Sequence, residues 1–320
     1  MRWIRAGLAL LCYGVLGVAQ AAFPERPLRL IVPFAAGSGL DKLARATGER
    51  LSREMGQSVV IENVSGAGGN VGLDTVMRAP KDGYTLLMAT TGIMVINPHL
   101  YKRQKRNPLT DLAVVGPVQT ATNVLAVRAD LPINNLAQFI AYAKANPGKL
   151  TYGSSGIGSS SHLSAVLLAQ MAGIELSHVP YRGSAAAASD FLGGRLDFMM
   201  DGAAQYVNLA PAGKFRILGT TSKKRFETLP SWTPLAESGL PGFDVSIWSA
   251  IMVPEGTPAP ALKTLRQAMA KIVAEPDFRT AVSPDLPFQM SASNFEAFLI
   301  TENAKWEKLV RDSGTSADGH

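Results

Sequence analysis

Cysteine occurs once in the 320-residue chain, at Cys12, inside an N-terminal stretch that reads as a removable segment. The remainder carries no thiol, which excludes disulfides, a cysteine nucleophile and thiolate metal sites. The 4 histidines, His99, His162, His178 and His320, include no pair at i,i+4 spacing, so no metal site is expected. Aromatics make up only 7% of the residues and never interleave with a basic stripe. The short basic clusters Lys102 to Arg106 and Lys223 to Arg225 therefore read as solvated loops, and nucleic acid is not an expected partner. Gly153-Ser154-Ser155-Gly156-Ile157 ends in Ile where a nucleophile elbow needs glycine. Gly66-Ala67-Gly68 is followed by Val71 where a dinucleotide fingerprint needs glycine, and no phosphate-loop motif occurs. No cofactor is implied.

What is present begins with an export signal. Arg2 and Arg5 precede an apolar run from Ala6 to Val18, and Ala19-Gln20-Ala21 supplies the small-residue cleavage site, so residues 1–21 read as a signal peptide. The run is too short for a membrane span, which needs ~20 residues. Leu11 before Cys12 is too bulky for lipoprotein processing. Loss of Arg2 and Arg5 lowers the formal charge from +6 to +4. The mature chain is expected to be exported, not inserted in a membrane, and monomeric. At its length it can bury about three quarters of its unfolded surface without disulfides.

From Leu28 onward, short apolar runs alternate with helical patterns, the rhythm of parallel βα units. LRLIV (28–32), VVIEN (59–63) and YTLLMA (84–89) read as strands, and Leu40 to Met55 as a helix between the first two. LAVVGPV (112–118) and NVLAVRA (123–129) read as two strands separated by almost nothing, which breaks the rhythm and predicts passage into a second domain near Asn123. Further βα units follow to FRILGTT (215–221), then a β-rich run over 243–256 and terminal helices that should pack back on the first domain. The expected architecture is two α/β domains joined by two crossing segments around a cleft: 22–122 with 247–320, and 123–246. The tail after Ser313 is expected to be disordered.

Three stretches share one design, in which a strand ends, small residues follow and a helix begins: FAAGSGLD (34–41), ATTGIMVINP (89–98) and YGSSGIGSSSH (152–162). In open α/β sheets the carboxyl ends of strands face the binding crevice, and helix starts present unpaired N–H groups with a positive dipole end. Such loops suit a carboxylate or another small anion; ordinary turn and cap chemistry is the alternative for each. Asp41 reads as an early-helix acid that orients its own loop. His162 falls at a helix start, as a structural partner or an anion contact. Asp201 follows the apolar strand LDFMM, either capping the next helix or meeting a donor on a ligand. Tyr181 and Arg182 fit either a cap over the cleft or a surface turn.

FAAGSGLD, ENVSGAGGNVG, APKDGYTLLMATTG, INPHLY, NPGKLTYGSSGIGSSSHL, HVPYRGSAAA, GLPGF and PEGTP, in this order, resemble the tripartite tricarboxylate transporter solute-receptor family, the Bug-type periplasmic binding proteins. The resemblance spans about Phe23 to Gly314. It implies a type II periplasmic-binding-protein fold that closes over a small carboxylate and delivers it to an inner-membrane permease, with no enzymatic activity. It selects Ala36, Gly37, Ser38 and Gly39 with Asp41 in support, Thr90 and Thr91, and Ser154, Ser155, Gly158 and Ser159. His162 joins that set, and Asp201 stands where the family commonly has an acid that reads the ligand's far end. The first loop departs from the family's usual P-P-G-G-x-x-D, with Ala35-Ala36-Gly37-Ser38-Gly39-Leu40-Asp41: the prolines are gone, and Ser38 adds a hydroxyl where glycine is usual. Two other readings stay open at this stage, a periplasmic sensing partner of a receptor kinase and a secreted hydrolase acting through Ser155.

Overall fold

The computed structural model describes residues 23–101, 106–181, 183–282, 285–288, 290–314 and 316–317. The expected signal peptide, Arg182 and His320 lie outside the described residues.

Among the described residues ten strands form the framework: β1 (Leu28–Val32), β2 (Val59–Asn63), β3 (Thr85–Thr90), β4 (Leu112–Arg128), β5 (Thr151–Ser154), β6 (Ser177–Pro180), β7 (Phe198–Gly202), β8 (Phe215–Thr220), β9 (Ser246–Pro254) and β10 (Leu286–Pro287). Their order is β2-β1-β3-β9-β4-β7-β5-β6, with β8 and β10 also pairing to β4. Strands β1, β2 and β3 are mutually parallel, as are β5, β6 and β7, so the carboxyl ends of each set lie on one side. The helices are α1 (Gly39–Met55), α2 (Asn70–Met77), α3 (Asn97–Leu100), α4 (Pro108–Asp111), α5 (Leu136–Ala145), α6 (Ser160–Ala172), α7 (Ser184–Leu192), α8 (Ala203–Val207), α9 (Ala259–Ala274), α10 (Pro276–Val282) and α11 (Ala292–Ser313).

Strand β4 joins the two halves of this framework. Its first part, to Thr122, pairs with β9, and from Asn123 it pairs with β7 and β8. The sequence suggests two strands here, because Gln119 to Thr122 interrupt the apolar pattern ahead of Asn123. The chain instead runs on as one strand, since those polar groups find partners: Gln119 donates to Asp285, and the Asn123 N–H donates to the Thr221 hydroxyl. The Thr221 hydroxyl in turn donates to the Val245 carbonyl, where the chain returns to β9. Thr122, Asn123 and Thr221 are fully buried, so the two crossings are held together by hydroxyl and backbone bonds in a dry environment.

Parallel strands covered on both faces demand apolar residues at nearly every position. In β1, Leu28, Leu30 and Val32 pack on α1 and α9 through Leu43, Leu51, Leu265 and Ile272, whereas Ile31 faces Leu73 and Val76 of α2. Each such fully buried aliphatic side chain stabilises by about 1.5–3 kcal/mol. The largest core cluster continues through Trp248, Phe295 and Trp306 to Phe139 and Phe198, so α11 packs against both halves. The described residues past Ser313 are tied to the fold. Gly314 ends α11 in the left-handed region, and the Ala317 N–H then donates to the Leu100 carbonyl, supplying a partner to the last turn of α3.

Candidate functional site

The loop after β1 is organised by α1 and β2. Ser38 is the N-cap of α1, its hydroxyl oxygen accepting the Asp41 N–H at 3.2 Å. Asp41 reaches back to accept the Gly37 N–H at 2.9 Å and also accepts from Arg45 and Asn63. The Arg45 guanidinium, then the Gly37 N–H, hold the Asp41 carboxyl down at about 2, so it stays ionised. Asn63, which sequence reading passes over, donates to both Asp41 and the Phe34 carbonyl; its only signal is an amide closing the apolar strand VVIEN. The N–H groups of Gly39 and Leu40 have no acceptor among the described residues, and the loop from Ala35 to Gly37 is exposed.

The second loop divides its threonines. The Thr90 oxygen accepts weakly from the Ile93 N–H at 3.5 Å. Thr91 is buried, and its hydroxyl accepts the Trp248 N–H and donates to the Trp248 carbonyl, stitching β3 to β9. Beyond it a π-helical turn over Gly92–Ile96 leads to Asn97, another residue missed from sequence. The Asn97 amide donates to the Gly68 carbonyl and the Asn70 side chain, tying α3 to a turn in which Gly66, Ala67, Gly68 and Gly69 all have positive φ. Ala67 in that region costs about 1–2 kcal/mol, strain of a kind that clusters at functional sites.

The third loop spends its hydroxyl protons on itself. Ser159 Oγ lies 2.6 Å from the Gly156 carbonyl and must donate to it. Ser161 therefore donates to Ser159, and Ser155 to Ser161, while the Ser155 N–H also bonds Ser161. Ser161 is the node of this chain, although nothing in the run Ser159-Ser160-Ser161 distinguishes it by sequence. Ser154 is buried, 2.6 Å from His178 Nε2, and accepts the Gly156 N–H. Ser159 caps α6, and the Gly158 N–H donates to His162 Nδ1 at 3.2 Å. The His162 ring stacks on His178 at 4.2 Å, and His178 on Tyr152 at 4.9 Å. Burial, with the neighbouring His178 ring, lowers His162 to about 3, and burial lowers His178 to about 4. What the loop leaves unpaired among the described residues are the N–H groups of Ile157, Ser160 and Ser161.

Gly158 also brings the halves together: a methyl there would lie 2.5 Å from Leu100 Cδ1 and 3.7 Å from Asn97 Oδ1. Asp201 does not cap α8, whose N-cap is Gly202; its Oδ1 accepts the adjacent Gly202 N–H. Among the described residues its Oδ2 makes no hydrogen bond of good geometry, although the Ser184 hydroxyl lies close enough to act on the carboxyl, and the Tyr206 hydroxyl and Thr220 Oγ1 are likewise buried without a partner there. Asp201 and Thr220 both pair opposite Val124, which sets them in one row of the sheet. Burial pushes the Asp201 carboxyl up, opposed by the Ser184 hydroxyl and the Gly202 N–H. Tyr181, the other residue considered for the cleft, donates to Asp190 of α7.

Residues 43–315 match the family model of the tripartite tricarboxylate transporter family receptor. The chain belongs to this family. Among solved structures it is similar to R. palustris Rpa4515 with adipate, at 34% identity and TM-score 0.85, covering 92% of this chain and 99% of that one. It is equally similar to the periplasmic binding protein BugD, at 34% identity and TM-score 0.82 over 92% and 99% of the two chains. MatC from Rhodopseudomonas palustris with bound malate aligns at 28% identity and TM-score 0.81, over 90% and 100%. The fold is that of the periplasmic binding proteins, and the family is one of receptors, not enzymes. Ser155, considered above as a nucleophile, bonds Ser161 through both its N–H and its hydroxyl. No helix among the described residues is long and apolar enough to cross a membrane.

Proposed function

We propose that this receptor works in the periplasm, after removal of residues 1–21, and captures a small carboxylate between two domains, 22–122 with 247–320 and 123–246. It then delivers the ligand to an inner-membrane permease of the tripartite tricarboxylate type. One observation carries this reading. The starts of α1 and α6, one in each half and each at the carboxyl end of a parallel strand, are capped by Ser38 and Ser159 and leave their first amides unpaired. Helix starts of this kind hold anions without a buried cation.

In this reading the amides around Ala36 to Leu40 and around Ile157 to Ser161 grip the ligand's carboxylate. Gly37 and Asp41 fix the first loop and Ser154, Ser155, Gly158 and Ser159 the third. Thr90 stands at the carboxyl end of β3, and Thr91 anchors that end to β9. The Asp201 carboxyl, whose Oδ2 makes no hydrogen bond of good geometry among the described residues, meets the far end of the ligand, which must bring a donor such as a hydroxyl, an ammonium or a protonated carboxyl. The adipate and malate in the similar structures make a dicarboxylate the first class to test. The two crossings at Thr122–Asn123 and Val245–Ser246 serve as the hinge.

A thermal-shift panel of mono-, di- and tricarboxylates, hydroxy acids and amino acids on the purified protein tests the reading, with small-angle scattering at saturation. A raised melting temperature and a more compact envelope are expected for at least one acid. A protein that responds to none of them would sink the proposal, and intact uptake after deletion of the gene would remove the transport assignment.

A further inference from the structure

The starts of α1 and α6 follow one plan and differ by one charge. In each, a glycine in the left-handed region precedes the cap, Gly37 at φ +81 and Gly158 at φ +79. In each the capping serine is extended, Ser38 at φ −66, ψ 163 and Ser159 at φ −67, ψ 160, and accepts the N–H three residues on. In each the side chain at that third position reaches back to accept the glycine N–H, Asp41 Oδ2 at 2.9 Å and His162 Nδ1 at 3.2 Å. This is a capping box displaced by one residue toward the N-terminus.

Asp41 performs the task with a full negative charge, which Arg45 at 3.0 Å and Asn63 at 2.9 Å compensate. His162 performs it with a neutral ring. Accepting at Nδ1 places the ring hydrogen on Nε2. The titratable groups stacked beside it are His178 and, behind that, Tyr152, and the first turn of α6 contains no acid. The positive end of the α6 dipole is thus left uncompensated, whereas a carboxylate at this position would oppose any anion bound there.

We infer that His162 is a positioning residue for carboxylate capture: its Nδ1 holds Gly158 in the shape that leaves the Ser160 and Ser161 amides without an acceptor among the described residues, without placing a negative charge beside the bound anion. The inference rests on the carboxylate reading above. His162→Asn and His162→Asp keep an acceptor atom at the place of Nδ1 and differ by one charge, so the pair isolates electrostatics from shape.

Calorimetric titration with adipate and with malate at pH 7.5 is the test, with circular dichroism and melting curves to establish that each variant folds. The His162→Asp protein should bind about 10- to 100-fold more weakly than the His162→Asn protein, from one charge roughly 6 Å away at an effective dielectric of ~20–40. That gap should close as the pH falls and the introduced carboxyl protonates, a readout that a purely structural role would not move. Equal affinities in the two folded variants, at neutral and low pH, overturn the inference. If the His162→Asp protein does not fold, His162→Leu takes its place: a loss of about 10-fold or more supports the role, and unchanged affinity in a folded protein overturns it. An unsubstituted protein that takes up neither probe nor any acid of the wider panel overturns the carboxylate reading and this inference together, an outcome distinct from equal binding by the variants.

Discussion

Replacing Gly158 by alanine should weaken ligand capture more than it weakens the fold. The new methyl would sit 2.5 Å from Leu100 Cδ1, where ordinary carbon contacts are about 3.5–4.0 Å. Leu100 cannot easily retreat, because its side chain is wholly buried and its carbonyl accepts from Ala317. Overpacking of this kind costs about 1–3 kcal/mol, and alanine at φ +79 adds about 1–2 kcal/mol. The second cost falls on every arrangement in which the loop keeps its shape. The first falls only where the two halves touch, since Leu100 follows β3 in one half and Gly158 follows β5 in the other. Parting the halves relieves the overlap, so the clash should appear as lost affinity of about 10- to 100-fold, which is 1.4–2.8 kcal/mol. The ligand-free melting temperature should register only the smaller backbone cost. Calorimetry with the best carboxylate from the panel, together with ligand-free melting curves, separates the two. Adding Leu100→Ala removes the clashing methyl, so the double variant should recover part of the affinity and break additivity. Unchanged affinity in Gly158→Ala, or strict additivity in the double variant, would refute the idea that this contact belongs to the closed receptor.

Three other substitutions probe the site. Thr91→Val removes the two bonds between the Thr91 hydroxyl and the Trp248 backbone N–H and carbonyl, and should cost about 1–3 kcal/mol in urea denaturation; a variant as stable as the parent would contradict the stitching role. Asp41 has its folded pKa depressed to about 2, so its stabilising contribution is complete above its unfolded pKa near 4 and fades as pH falls toward 2. The stability gap between the parent and Asp41→Asn should therefore narrow between pH 5 and about pH 2, and a gap independent of pH would exclude the charged pairing with Arg45 as its source. Asp201 has its folded pKa raised, so it contributes favourably only at low pH and loses that contribution as pH rises through the folded pKa. Asp201→Asn should leave the ligand-free protein as stable or more stable at pH 7 and weaken a ligand whose far end donates a hydrogen bond; a destabilised ligand-free variant would mean that Oδ2 already has a partner.

Most elements of the fold were legible because their signals are local. The apolar runs of β1, β2 and β3 and the glycine and serine boundaries of α1 and α6 follow from propensity, capping and burial alone. Strand β4 was misread for a physical reason. Gln119 to Thr122 look like a break until Asp285 and Thr221, both more than ninety residues from their partners, supply hydrogen bonds to Gln119 and to the Asn123 N–H that follows. Asn63, Asn97, Ser161 and His178 were passed over for the same reason, since each acts through a partner that is distant in sequence or hidden within a run of identical residues. The contact of Ala317 is not legible, because the tail's polar composition gives no sign that Leu100 has a carbonyl waiting for its N–H.

The direction of the hydroxyl bonds bears on selectivity. A run such as Ser154-Ser155 with Ser159-Ser160-Ser161 suggests hydroxyls aimed at a ligand. In the fold Ser155 donates to Ser161, Ser161 to Ser159 and Ser159 to the Gly156 carbonyl, so these three protons point inward. At the first loop the Ser38 oxygen accepts from Asp41, which leaves its single proton as the one cap hydroxyl still able to donate outward. Under the proposed reading the clamp is therefore mostly amide, and an amide clamp senses a carboxylate without sensing what is attached to it. Discrimination between ligands must then fall on the groups assigned to the ligand's far end, and Asp201, Tyr206 and Thr220 are the ones we propose, since each holds a buried polar atom with no hydrogen bond among the described residues. Unpaired groups of this kind reject a ligand that cannot pair them at a cost of about 1–3 kcal/mol each. Exchanging them should change which acid is bound, whereas exchanging the serines of the third loop should change how tightly any acid is bound.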